Sequence, residues 1–177
     1  MEDKFYSFTT PCGENVAIRP AAAEDIDEML ALEARSINPA TFQEITREEI
    51  EESIALDLAL VAATADKIIA LNLLLANRES DRSLAYDIGR DPCEVVTFDG
   101  VIVAPEYRGL GLQRRFLAIA EDYAKSLGAG AVAATVAPEN LPSRRNFERA
   151  GFCELGEFPK YGSKRIIVIK SILRGNE

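Results

Sequence analysis

VIVAPEYRGLGLQRRF, residues 101–116, decides the fold. It opens as an apolar, β-branched run that Pro105 stops, which is how a strand ends at a sheet margin. A short loop follows, and Arg108, Gly109, Leu110, Gly111, Leu112 and Gln113 deliver the chain into a helix. From there Leu112, Phe116, Ile119, Ala120, Tyr123 and Leu127 recur at helical spacing, with Gly128 placed to close the helix. Gly109 and Gly111 let the backbone bend and approach a ligand without a Cβ, while the unpaired N–H groups of a helix start attract an anion. That geometry suits a pyrophosphate. The stretch is neither a GxxxxGK[ST] loop nor a full GxGxxG fingerprint, and a turn that simply needs two glycines gives the same spacing.

Outward from this stretch, residues 94–104 (EVVTFDGVIVA) read as one long strand. Asp99-Gly100 allows a second reading, a hairpin turn pairing VVTF with VIVA. A continuous strand with a glycine-assisted bulge is preferred, because a bulge re-aims backbone groups beside a site. Upstream, residues 15–20 alternate as a first strand and residues 24–37 carry an amphipathic helix. A turn follows around Asn38 and Pro39. Thr46 with Glu49 forms a capping box, and Ile45 with Ile50 a hydrophobic staple, starting a second helix that runs to about Leu56. Residues 60–65 and 67–76 predict a hairpin, and residues 77–92 a long connection that is either a lid or a surface loop. Downstream come a buried strand over 131–137, a short helix over 141–150 ended by Gly151, and strands over 152–158 and 165–173. The order β-α-α-β-β-β-α-β-α-β-β predicts an α/β sandwich on a mixed sheet of about seven strands.

The 177 residues, 47% hydrophobic and 28% charged, are expected to form a single soluble domain. There is no histidine, which removes Ser/His/Asp and Cys/His devices, histidine-bound zinc and an imidazole base. Cys12, Cys93 and Cys153 form neither a CxxC knuckle nor an even disulfide set, so reduced thiols in the cytoplasm are expected, with Cys153 read as a small core residue. The polar N-terminus and the lack of an apolar run of about 18 residues argue against secretion and membrane spanning. A net charge of −9 argues against a broad nucleic-acid or anionic-membrane surface.

The residues of the opening stretch resemble the acetyl-CoA motif of the GNAT N-acetyltransferase superfamily, V-x-V-x-P followed by (Q/R)-x-x-G-x-(G/A). The matches are Val101, Val103, Pro105, Arg108 and Gly111, and Gln113 departs from the final small residue. Asn140, Phe147 and Ala150-Gly151-Phe152 resemble the family's second segment. The resemblance implies a three-layer α/β/α fold on a mostly antiparallel mixed sheet, as a single domain over residues 1–177. It implies acetyl-CoA as co-substrate, with no metal. The pantetheine arm would add to the strand at Val101, Ile102 and Val103, and the pyrophosphate would sit on the amides from Arg108 through Gly109, Leu110, Gly111 and Leu112 to Gln113. Asn140, Ser143, Arg144 and Phe147 would flank the cofactor from the short helix.

Acetylating an amine requires that the nucleophile lose a proton. The family's strand-borne glutamate falls near Thr97, and its tyrosine acid at Phe147, so neither standard group is present. Asp99 is the candidate base, through a water, and Tyr161 or Ser143 a candidate acid, with solvent as the alternative. Residues 24–57 hold eleven acids against two bases and account for the whole −9, whereas residues 105–151 carry +2. The acidic helices fit a cationic acceptor (a small amine, a polyamine or a lysine) or simply a solvated outer face. A non-catalytic CoA-binding domain and an unrelated phosphate binder remain as alternatives, and a homodimer is left open.

Overall fold

The computed structural model describes residues 6–37, 44–76 and 80–172. They comprise four α-helices and a mixed set of eight strands, an α/β architecture as the sequence predicts, with one strand more than expected. The described residues fall into two compact units, 6–37, 44–73 and 100–112 in the first, and 74–76, 80–99 and 113–172 in the second.

The first unit is built on antiparallel strands. β1 (Tyr6–Thr9) is the strand the sequence reading missed: four residues in a polar N-terminus give too little periodicity to detect. It pairs with β2 (Asn15–Pro20), Tyr6 opposite Ile18. β3 (Ala59–Ala63) pairs with β2 and, as the expected hairpin, with β4 (Ile68–Leu75), with a register shift between Ala62 and Ala63. All eight residues of β4 are buried, so its near-continuous apolar run marks a strand covered on both faces.

Between β2 and β3 lie α1 (Ile26–Ser36) and α2 (Arg47–Ala55). A single turn of 3-10 helix (Ala23–Asp25) leads into α1, where Arg19 grips both oxygens of Asp25 at 2.6 and 2.8 Å. That contact, a charge-assisted fork, holds the Asp25 carboxyl below its ordinary range. The predicted capping box at α2 is present: Glu49 N–H donates to Thr46 Oγ1 (3.2 Å) and Thr46 N–H to Glu49 Oε2 (2.8 Å). The staple residues Ile45 and Ile50 are both buried. The expected turn at Asn38 and Pro39 lies outside the described residues.

The second unit centres on β5 (Val95–Val103) and β6 (Ala131–Val136), which are parallel over Val95–Phe98 and Ala131–Ala134. β8 (Ser163–Ser171) is antiparallel to β6, and β7 (Cys153–Lys160) to β8. β5 is continuous through Asp99-Gly100, which excludes the hairpin reading. α3 (Leu112–Ser126) buries Leu112, Phe116, Ala120 and Ala124, and α4 (Leu141–Arg149) follows β6.

Three expectations change here. Residues 80–92 of the long connection are neither lid nor loose loop, because Leu84 and Ala85 enter a core cluster with Val95, Ala133 and Ile167. Leu84 N–H donates to Thr97 Oγ1 at 3.1 Å. Cys153 is exposed on β7 rather than in the core. The β7–β8 connection is a two-residue turn, Tyr161 (φ 57°) and Gly162 (φ 70°), both in the left-handed region. A tyrosine there costs about 1–2 kcal/mol and carries no turn signature, so the sequence hid this hairpin.

Glu33 on α1 is 4% exposed and accepts from the Ile45 N–H just ahead of α2. Burial, reinforced by Glu44 and Glu49, pushes its carboxyl above the ordinary range. The folded state therefore favours the protonated form, so stability falls as the pH rises from the unfolded-state pKa of Glu33 through its higher folded one, and the penalty is complete above that. Glu33→Gln keeps the acceptor for Ile45 and removes the charge. Thermal unfolding should show the variant melting higher than the wild type at about pH 8, with the advantage vanishing as the medium is acidified through the carboxyl range.

Candidate functional site

In the first unit, β5 ends at Val103 and the chain bends through a 3-10 turn (Pro105–Tyr107) to Gly109 and Gly111 before entering α3. Both glycines have positive φ, 85° and 76°, and a Cβ built on either would meet nothing within 4 Å. Backbone conformation rather than crowding therefore demands glycine, and the space beside each stays open to a ligand. Among the described residues no group accepts a hydrogen bond from the amides of Gly109, Leu110 or Gly111. Amides without a protein acceptor at the start of a fifteen-residue helix are suited to an anion.

The loop is braced from behind. Ala104 N–H donates to Ile69 O at 2.9 Å. Tyr107, 7% exposed, donates its hydroxyl to the Glu14 carboxylate at 3.1 Å. Its phenol pKa is raised, first by burial and then by Glu14. Lys67 caps the Tyr107 ring at 4.8 Å and reaches Glu106 at 3.3 Å. Arg108 directs its guanidinium to Ser36 O at the end of α1 (2.8 Å) and to Val103 O (3.3 Å). The motif's arginine thus offers its backbone to an anion and spends its side chain on the scaffold. Along β5, Val101 and Val103 are half-buried on the Asp99 side of the alternation, whereas Ile102, 4% exposed, turns into the core.

In the second unit, Gln113 is 9% exposed and donates through Nε2 to Ser143 Oγ at 2.9 Å, while Asn146 Nδ2 donates to Gln113 Oε1 at 2.9 Å. Asn140 caps α4, its Oδ1 accepting from Ser143 N–H at 3.2 Å. The departure from the family pattern at Gln113 is thus a clasp between the starts of α3 and α4, with Asn146 a partner the sequence reading missed. Arg144 forks onto Glu154 at 2.8 and 3.1 Å and donates to Pro138 O at 3.1 Å, so its guanidinium is engaged in tying α4 to β7. Phe147 is packed edge-on between Phe98 (6.1 Å) and Phe152 (5.3 Å). A hydroxyl there would need a partner inside an aromatic core. α4 also borders an open groove of about 450 Å³ with Leu141, Arg145 and Val168, which none of residues 108–113 line.

Asp99 and Tyr161 lie within electrostatic reach of each other. Asp99 is ion-paired with Arg82 at 2.9 Å, both side chains largely buried. Arg82 was one of seven charged residues in a stretch without periodicity, so nothing in the sequence singled it out. The Tyr161 phenol is pushed well above its ordinary range by burial first, then by Asp99, with Arg82 opposing. Lys160 sits 5.5 Å from the Tyr161 ring and bonds Asp87 at 2.6 Å. Thr97, at the strand position of the family's base, is committed to holding Leu84. In the first unit, at least five of the acids in residues 24–57 also have structural partners: Asp25, Asp27, Glu28, Glu33 and Glu49.

A sequence model of the Acetyltransferase (GNAT) family matches residues 24–152. No curated protein sequence matches the chain. Among solved structures, the ribosomal-protein-S18-alanine N-acetyltransferase from Escherichia coli superposes with a TM-score of 0.68 at 16% identity, covering 92% of this chain and 97% of that one. The loading GNATL domain of CurA from Lyngbya majuscula gives 0.71 at 18% identity, with 89% and 98% covered. YncA from Salmonella typhimurium, solved with its cofactor acetyl-CoA, gives 0.65 at 20%, with 89% and 94% covered.

The clasp makes a prediction independent of any ligand. Gln113→Ala and Asn146→Ala should each lower unfolding free energy by about 1–2 kcal/mol, and the double variant by clearly less than the sum, because both remove one shared hydrogen bond. Denaturant melts of the four proteins measure that coupling.

Proposed function

The chain belongs to the GNAT acetyltransferase family, and from that premise we propose that it transfers the acetyl group of acetyl-CoA to a primary amine by direct attack on the thioester. The observation that carries the reading is the braced glycine loop, whose amides without a protein acceptor at the start of α3 fit a pyrophosphate. Within the first unit, the backbone from Arg108 to Leu112 holds the pyrophosphate, and Val101 and Val103 take the pantetheine as a strand takes its neighbour. In the second unit Arg144 is committed to Glu154, and Phe147 to Phe98 and Phe152.

In the reaction the amine nitrogen forms a bond to the acyl carbon, the C–S bond breaks, and CoA leaves as a thiolate. Positioning supplies most of the acceleration, so no covalent intermediate or metal is required of the chain. The amine proton passes through a bridging water to the Asp99 carboxylate, which is ion-paired with Arg82, and from there to solvent. Burial and Asp99 raise the Tyr161 phenol above its ordinary value, which weakens it as an acid, so in this proposal solvent protonates the departing thiolate. The acceptor is a small amine, a polyamine or a lysine side chain. A second reading, a CoA-binding domain without turnover, draws support from Thr97 and Phe147, which occupy the family's base and acid positions with structural tasks.

Calorimetry should show the wild type binding acetyl-CoA, and thiol release should show turnover on an amine panel. Asp99→Asn should retain CoA affinity and lose about 10-fold or more in kcat. Tight binding with no turnover on any amine favours the binding domain, and no CoA binding sinks both readings. Tyr161→Phe should change kcat by less than about 3-fold at neutral pH; a loss of about 100-fold would restore the tyrosine as the acid.

A further inference from the structure

β4 reads IIALNLLL, and its polar member, Asn72, is 0% exposed. A leucine would suit the strand's pattern. An amide buried there is costly, and among the described residues Asn72 Oδ1 has no hydrogen-bond partner. The Nδ2 group, by contrast, is fully used: it donates to Leu73 O at 3.1 Å and to Gly100 O at 2.6 Å. The side chain is thus half unsatisfied, and the satisfied half grips one carbonyl on β5.

That carbonyl belongs to the Gly100–Val101 peptide. No peptide bond among the described residues is cis, and in a planar trans peptide the C=O and the following N–H point in opposite directions. With the Gly100 carbonyl turned toward Asn72, the Val101 N–H is turned away from it. The parallel ladder of β5 with β6 ends at Phe98, and on its other side β5 neighbours β4, where Ala104 N–H donates to Ile69 O. Backbone N–H groups alternate sides along a strand, so the Val101 N–H, three residues before Ala104, faces away from β4, on a half-buried residue.

We propose that Asn72 is a positioning residue that aims the Val101 N–H at the acyl oxygen of the bound thioester. The proposal rests on the acetyl-CoA reading above. Attack by the amine moves negative charge onto that oxygen, and a donor fixed in advance stabilises the charge without reorganising as it forms. Asn72 itself touches no substrate; it acts through one peptide plane, and the strand gives up packing and hydrogen bonding to hold that plane.

The test compares wild type, Asn72→Leu and Asn72→Ser, each isotopically labelled and titrated with CoA and with acetyl-CoA. In the wild type the Val101 amide proton should shift further downfield with acetyl-CoA than with CoA. Asn72→Leu should melt at the same temperature or higher and bind CoA within about 3-fold of wild type. It should lose the acetyl-dependent shift, and kcat on the best amine should fall about 10- to 100-fold at unchanged KM for acetyl-CoA. Asn72→Ser, which retains one donor, should fall between the two, and it carries the comparison if the leucine variant does not fold. A folded variant with wild-type kcat and the shift intact overturns the proposal, as does a fall in melting temperature with a matching loss of CoA affinity. Absence of CoA binding by the wild type overturns the acetyl-CoA reading itself, and this proposal with it.

Discussion

The bend between β5 and α3 depends on two positive φ angles, at Gly109 and Gly111. A loop whose amides have no protein acceptor gains no stability from them until a ligand arrives, so its shape must be fixed from behind. The Tyr107–Glu14 hydrogen bond, the Arg108 reach to Ser36 and the Ala104–Ile69 backbone bond supply that fixation. The first unit is in this sense a mould for one bend, and the N-terminal hairpin and α1 matter to the bend through single side chains.

The same economy explains the departures from the family pattern. Thr97 holds a buried connection, Phe147 fills an aromatic core, and Gln113 joins two helix starts. Each departing residue has a structural partner. Charge follows suit. The acids of α1, α2 and their approaches bond backbone amides and arginines, which weakens the case that their number alone selects a cationic acceptor.

What the sequence made legible was whatever depends on local chemistry. The Thr46–Glu49 box, the strand-loop-helix of residues 101–116 and the hairpin of β3 and β4 are written in short patterns, and each is present. Illegible features depend on partners distant in sequence. Tyr107 bonds a residue far upstream, Arg108 an α1 carbonyl, and Arg82 an aspartate on a different element. A left-handed tyrosine in a hairpin turn contradicts the usual turn residues, and its burial beside Asp99 is a tertiary fact. Asn72 was visible as an oddity among leucines, yet only the Gly100 carbonyl gives it meaning.

β7 has β8 on one side and stands at the end of the strand order. A bare strand edge of this length is a template for indefinite stacking of one copy on another. Here the edge is interrupted by a register shift between Glu154 and Gly156, carries Glu154, Glu157 and Lys160, and includes Pro159, which has no N–H to offer. With Leu155 49% exposed between two acids, the strand has one apolar handhold and several obstacles to regular pairing. The consequence is colloidal: this margin offers a second copy little regular edge on which to add a strand.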